Sequence, residues 1–79
     1  MNPRLPRVTA REVQRVLEKR GFRVVRQKGG HRILRDSLGR RVTLPHHAGK
    51  IMHSKVLAMI MEDAGLSEGD FEDRRSRKR

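Results

Sequence analysis

The segment RQKGGHRILR, residues 26–35, places one histidine after two glycines and before a strand-like run. Histidine is the residue type that exchanges a proton near neutral pH, so His31 is the side chain here best suited to acid–base chemistry. The neighbouring cations Lys28 and Arg32 are placed to hold an anionic group and to stabilise developing negative charge. A plainer interpretation stays open, in which His31 is only an exposed residue at a hairpin turn.

Three further histidines fall within a short stretch of the chain. His46, His47 and His53 could together bind a divalent metal ion. No carboxylate lies in the loop that carries them, however, and their spacing matches no pair one helical turn apart. We therefore predict no metal site and no cofactor.

The net charge of the chain points to a polyanionic partner. Lys and Arg total 20 against nine Asp and Glu, which gives +11, and residues 74–79 contribute five of the cations. The rest of the chain is still clearly basic, and nucleic acid is the commonest partner of such a domain. The chain has no Trp, no Tyr and two Phe, so base stacking on aromatic rings is disfavoured. Contacts to phosphates, with weak sequence specificity, are expected instead.

Length and composition set further limits. A chain of 79 residues forms one small domain with a thin core. The absence of cysteine excludes disulfides and thiolate zinc sites, and it agrees with a reducing, cytoplasmic location. No apolar run approaches the roughly 18 residues of a membrane span, and the N-terminus lacks the apolar region of a signal peptide, so no membrane association is predicted.

A capping box marks the start of the first predicted helix. In the sequence Thr9–Glu12 the threonine oxygen can accept the Glu12 amide while the glutamate side chain reaches back. Val13, Val16 and Leu17 then share one helical face, and Gly21 is placed to end the helix.

Three β-prone segments separated by turns predict an antiparallel meander with strands at residues 22–27, 31–36 and 40–44. Lys28, Gly29 and Gly30 form the first turn signal. The facing of the middle strand stays open, because Ile33 and Leu34 are both apolar and point to opposite sides.

A second helix is predicted after the loop HHAGKIMH, with Ser54 as its N-terminal cap and Gly65 at its end. Its apolar stripe comprises His53, Val56, Leu57, Ile60 and Ala64. Leu66 is placed to pack back, and residues 67–71 are expected to add one more turn.

The order helix, three strands, helix predicts an α+β fold. We expect a two-layer sandwich, helix–three-stranded antiparallel sheet–helix, with both helices on one sheet face, as in double-stranded-RNA-binding domains. Residues 1–8 are predicted to form an extended lead-in, residues 9–71 the folded domain, and residues 72–79 a basic, disordered tail.

These motifs together resemble the HicA (YcfA-like) family. The similarity rests on VRQKGGH at residues 25–31, RVTLP at residues 41–45 with a histidine two residues on, and EDAGLS at residues 62–67. It covers nearly all of residues 10–71. Gly30 stands where many members have serine, and the long basic tail is not part of the family pattern.

The resemblance implies an RNA-cleaving toxin, or mRNA interferase, of a bacterial toxin–antitoxin pair, with an RNA-binding fold and a HicB-like acidic antitoxin as its partner. It implies that His31 is the catalytic residue of a metal-independent endoribonuclease. Residues expected to contact RNA around it are Lys28, Gly29, Gly30, Arg32 and His47, the last at the position that follows the proline by two residues.

Two other functions remain open from the sequence. The chain could be a non-catalytic module that binds double-stranded RNA, with His31 as a phosphate contact. It could also be a small basic subunit whose charge serves an acidic protein partner.

Overall fold

The computed structural model describes residues 5–47 and 49–71 and confirms the predicted fold class. The elements in chain order are α1 (Ala10–Lys19), β1 (Arg23–Lys28), β2 (His31–Arg35), β3 (Arg41–Pro45) and α2 (Ser54–Ala64). The strands form one antiparallel sheet in the order β1-β2-β3. The predicted tail over residues 72–79 and the start of the lead-in lie outside the described residues.

The predicted capping box is present at the start of α1. The Glu12 amide donates to Thr9 Oγ1 at 3.3 Å, and the Thr9 amide donates to Glu12 Oε1 at 3.0 Å. At the other end Gly21 has φ +98°, a conformation that glycine adopts without strain. The Phe22 amide can then donate to the Leu17 carbonyl at 2.9 Å, and the Phe22 ring turns into the core. Because Phe22 takes part in this helix ending, β1 begins one residue later than predicted.

One face of the sheet is buried beneath both helices. Leu34, Val42 and Leu44 have no exposed surface, and α1 and α2 both pack against β3. Leu34 therefore faces the core, and Ile33 points to the opposite, uncovered face. This resolves the facing of the middle strand, which periodicity alone left open. The strand order makes β1 an edge strand, and every residue of β1 is exposed because neither helix covers it.

The start of α2 differs from the prediction, because His53 rather than Ser54 is the N-cap. His53 has extended backbone angles, and its Nδ1 accepts the Lys55 amide at 3.0 Å. Ser54 is already the first helical residue. The prediction was wrong because serine is the commoner capping residue, whereas here the imidazole Nδ1 of His53 supplies the acceptor. Gly65 ends the helix as predicted.

The segment after α2 packs back onto the domain, as expected. Leu66 and Phe71 are buried, and residues 68–71 form one helical turn. Asp70 in this turn forms an ion pair with Arg20 at the end of α1, with Arg20 Nη1 at 2.9 Å from Asp70 Oδ1. The turn thereby closes one end of the core.

The N-terminal segment also belongs to the core. Val8 is fully buried, and its carbonyl accepts the Met52 amide at 2.7 Å. Thr9 forms an isolated bridge with Ile51. The loop before α2 is thus tied to the start of α1. Within the described ranges, no helix is long and apolar enough to cross a membrane.

Leu34→Ala should lower the free energy of unfolding by about 2–5 kcal/mol, because it removes a fully buried side chain from a small core. Val25→Ala on the exposed edge strand is the matched control and should change that free energy by less than about 0.5 kcal/mol. Urea denaturation of both variants measures the difference. Equal destabilisation would show that Leu34 does not anchor the core.

Candidate nucleic-acid interface

The uncovered face of the sheet is strongly cationic. Register partners in an antiparallel sheet lie on the same face, so the pairing defines three rows across it. These rows are Arg23–Arg35–Arg41, Arg26–Ile33–Thr43 and Lys28–His31–Pro45. We call these nine residues the cationic face. It carries five positive charges and His31, with no acidic side chain.

A β-bulge in β1 brings two of these cations to the face. Val24 pairs with Leu34 and therefore lies on the helix side of the sheet. Regular alternation would put Arg26 on that side too. The register shifts between Val24 and Arg26, so Val25 is the extra residue and Arg26 pairs with Ile33 instead. The same shift places Lys28 directly opposite His31.

His31 is exposed and lines a groove of about 490 Å³ beside β3. We call this space the β3 groove. The strand residues that line it with His31 are Arg41, Thr43 and Pro45, and the residues from α2 are Val56, Met59, Ile60 and Asp63. An anionic ligand in the groove would meet Arg41 from the strand side. A histidine, the cation Arg41 and the carboxylate of Asp63 therefore border one accessible space.

The two glycines before His31 differ in their conformations. Gly29 has φ +58°, which side chains rarely allow, whereas Gly30 lies outside the left-handed region. A Cβ built on Gly30 would meet no protein atom within 4 Å. Gly29 is thus required by the turn itself, and nothing in the described protein requires Gly30 to lack a side chain.

Arg32 lies on the opposite side of the sheet from His31. Its Nη1 donates to Gln14 Oε1 on α1 at 2.6 Å. It lines a cleft of about 260 Å³, which we call the α1 cleft, together with Arg11, Gln14, Arg15, Glu18 and His46. The structure therefore brings Lys28 to His31 as expected, but it does not bring Arg32 to the same surface.

The other predicted contact residue, His47, lines a separate, mainly apolar pocket. This pocket of about 310 Å³ lies between the loop before α2 and the start of both helices, and His53 and Pro45 also line it. Pro45 borders the β3 groove as well, so the two spaces adjoin. His47 is exposed at this border, a short way along the chain from the strand that carries Arg41.

The histidines of the loop do not gather at one point. His46 lines the α1 cleft, whereas His47 and His53 line the apolar pocket. Across residues 5–47 and 49–71, no three His, Cys, Asp or Glu side chains are grouped as metal ligands would be. The nitrogen His53 Nδ1 is moreover occupied by the α2 cap.

Sequence reasoning missed most of the cations around His31. Arg23, Arg26, Arg35 and Arg41 join the face only through the strand register and the bulge. The signal for Arg35 and Arg41 was present, because they share the odd-numbered alternation of His31 and Thr43. The bulge that re-aims Arg26 has no comparable signature in the sequence.

Comparison with known proteins gives one family. A family model described as the HicA toxin of bacterial toxin–antitoxin systems matches residues 10–66. The match includes α1, the whole sheet and α2. No individual curated protein matches the sequence.

Gly29→Ala and Gly30→Ala form a matched pair that separates folding from ligand contact. Gly29→Ala should lower the free energy of unfolding by about 1–2 kcal/mol because of its positive φ. Gly30→Ala should leave that free energy within about 0.5 kcal/mol of the wild type, yet weaken RNA binding if the RNA backbone passes over this turn. Denaturation and RNA titration of both variants check this. Equal loss of stability in the two variants would contradict the conclusion that the turn requires glycine at Gly29 but not at Gly30.

Proposed function

Because this chain belongs to the HicA family of toxins from bacterial toxin–antitoxin systems, we propose that it cleaves RNA, with mRNA as its cytoplasmic substrate and His31 as the catalytic residue. The observation that supports this most directly is the position of His31. It is exposed in the β3 groove, on a sheet face whose charged residues are all cations.

RNA carries its own nucleophile, so a single well-placed proton-transfer group accelerates its cleavage. The 2′-hydroxyl attacks the adjacent phosphorus, a 2′,3′-cyclic phosphate forms, and the bond to the 5′-oxygen breaks. His31 either accepts the proton from the 2′-hydroxyl or supplies one to the departing 5′-oxygen. A proton-transfer step of this kind contributes roughly 10²–10⁴-fold to the rate. Neither role requires a metal ion.

The cations beside His31 support the phosphate during this reaction. Lys28 is the register partner of His31 on one side, and Arg41 lines the same groove. Negative charge grows on the non-bridging oxygens as the phosphorane forms, and fixed positive charges stabilise that state more than the starting ester. Arg23, Arg26 and Arg35 extend the positive surface and would hold the flanking phosphates.

The apolar pocket gives His47 a different role from His31. The apolar pocket adjoins the β3 groove through Pro45, but His47 itself does not line the β3 groove. We assign His47 to binding RNA beside the scissile phosphate, where it can donate a hydrogen bond.

His31→Gln should lower the single-turnover cleavage rate at saturating RNA by at least 100-fold, because glutamine cannot exchange the proton. His47→Gln is the matched control, since it should weaken RNA binding while leaving that saturated rate within a few-fold of the wild type. Cleavage of a labelled RNA with chelator in excess measures both variants. If His31→Gln cleaves nearly as fast as the wild type, His31 is not catalytic. If the wild type binds RNA without cleaving it, the chain is instead a non-catalytic RNA-binding module.

A toxin of this family has a cognate antitoxin, and we propose that it is a HicB-like acidic protein that covers the β3 groove. The +11 charge would steer an acidic surface towards the cationic face and speed association at low salt. Contact with His31 would then exclude RNA sterically, without a conformational change in the toxin.

Antitoxin and RNA should therefore compete reciprocally for the toxin. The measurement is titration of the antitoxin into a complex of the His31→Gln protein with labelled RNA. Release of RNA in proportion to antitoxin binding is expected. A stable ternary complex with unchanged RNA affinity would rule out direct covering of the groove.

A further inference from the structure

The α1 cleft gathers positive charge on the side of the sheet that faces away from His31. Arg11 and Arg15 are one turn apart on α1, and Arg32 reaches the same cleft from β2. Glu18 is the one acidic residue that lines it. Within residues 5–47 and 49–71, none of the three arginines Arg11, Arg15 and Arg32 forms an ion pair with a carboxylate.

A chain of side-chain hydrogen bonds fixes one arginine in the cleft. Arg32 Nη1 donates to Gln14 Oε1 at 2.6 Å, and Gln14 Nε2 donates to Glu18 Oε2 at 3.1 Å. A neutral amide thus separates the guanidinium of Arg32 from the carboxylate of Glu18. Arg32 is held in place and half-buried, while it keeps its charge and most of its N–H donors for a ligand.

The pKa of His46 is sensitive to the charges that surround the cleft. Burial lowers its pKa below the usual value, and the charges of Arg32 and Arg11 and the neighbouring His47 lower it further. The groups facing it are Arg11, Arg15 and Glu18 from α1, Arg32 from β2 and His47 beside it in the chain. Positive charge therefore outweighs the single carboxylate.

We propose that the α1 cleft binds a second backbone phosphate of the RNA strand whose cleavage we assign to His31. This rests on the proposed function and adds a second anchoring point to it. Three guanidinium groups around one space suit the several acceptor oxygens of a phosphate, which arginine can bind in bidentate fashion.

The backbone connects this cleft with the end of the sheet that carries His31. The His46 amide donates to the Gly30 carbonyl at 2.7 Å, immediately before His31. The cleft and His31 therefore lie on opposite faces of the same end of the sheet. A flexible chain with an anionic group at every unit can pass around the Gly29–Gly30 turn and reach both, whereas one rigid acidic protein surface would have to wrap a sheet edge.

Inorganic phosphate tests the site without any need for catalysis. Imidazole NMR of the intact chain, with His46 assigned through His46→Gln, should show that phosphate raises the pKa of His46, because the bound anion offsets the charges that lower it. Arg11→Gln/Arg15→Gln should abolish this response. Lys55→Gln, which removes an exposed cation of α2 that does not line the cleft, is the control and should preserve it. No response of His46 in the wild type, or an undiminished response in the double variant, would overturn the proposal.

RNA binding tests the identity of the occupant. In the His31→Gln background, each arginine removed from the cleft should weaken RNA binding roughly ten-fold and reduce the salt dependence by about one unit of slope. Lys55→Gln should do neither. Phosphate binding with unchanged RNA affinity would assign the cleft to another anion, such as an acidic protein, and would contradict the proposal. If the wild type binds RNA but does not cleave it, the proposed function fails, whereas this binding result still stands.

Discussion

The burial of Leu34 is the constraint on which the rest of the arrangement depends. Side chains of a strand alternate between its two faces, so anchoring Leu34 in the core fixes the direction of every other residue of β2. His31 must then point to the uncovered face and Arg32 to α1. The neighbouring residues His31 and Arg32 thus lie on two separate surfaces. A register slip of one residue would exchange the surfaces on which they lie.

The edge strand shows how irregular geometry completes the surface around His31. If Val25 paired with Ile33 in regular alternation, Gln27 would stand opposite His31 and Lys28 would lie on the helix side. Gly29 turns the chain tightly enough for this pairing to begin at the first residue of β2. The hairpin therefore combines a bulge at one end with a two-residue turn at the other. Together they place Lys28 opposite His31.

The sequence was sufficient for most of the fold because its signals are local. The capping box at Thr9, the glycines that end the helices and the alternation of Val42 with Leu44 each depend on a few neighbouring residues. The site was less predictable, because it depends on which strand residues stand opposite each other. Arg32 stays a predicted RNA contact, but its separation from His31 follows from the choice between Ile33 and Leu34 for the core. His53 was missed as a cap because imidazole rarely fills that position.

The core has a consequence for how such a toxin is controlled. Residues from Val8 to Phe71 close it without help from another chain, and the sheet is a simple meander of neighbouring strands. Strands that follow one another along the chain pair over shorter sequence separations than strands joined by long crossovers. The described core of the toxin therefore contains no element that its antitoxin supplies. The antitoxin then acts by binding a domain whose core is already closed, so its amount relative to the toxin determines how much toxin stays free.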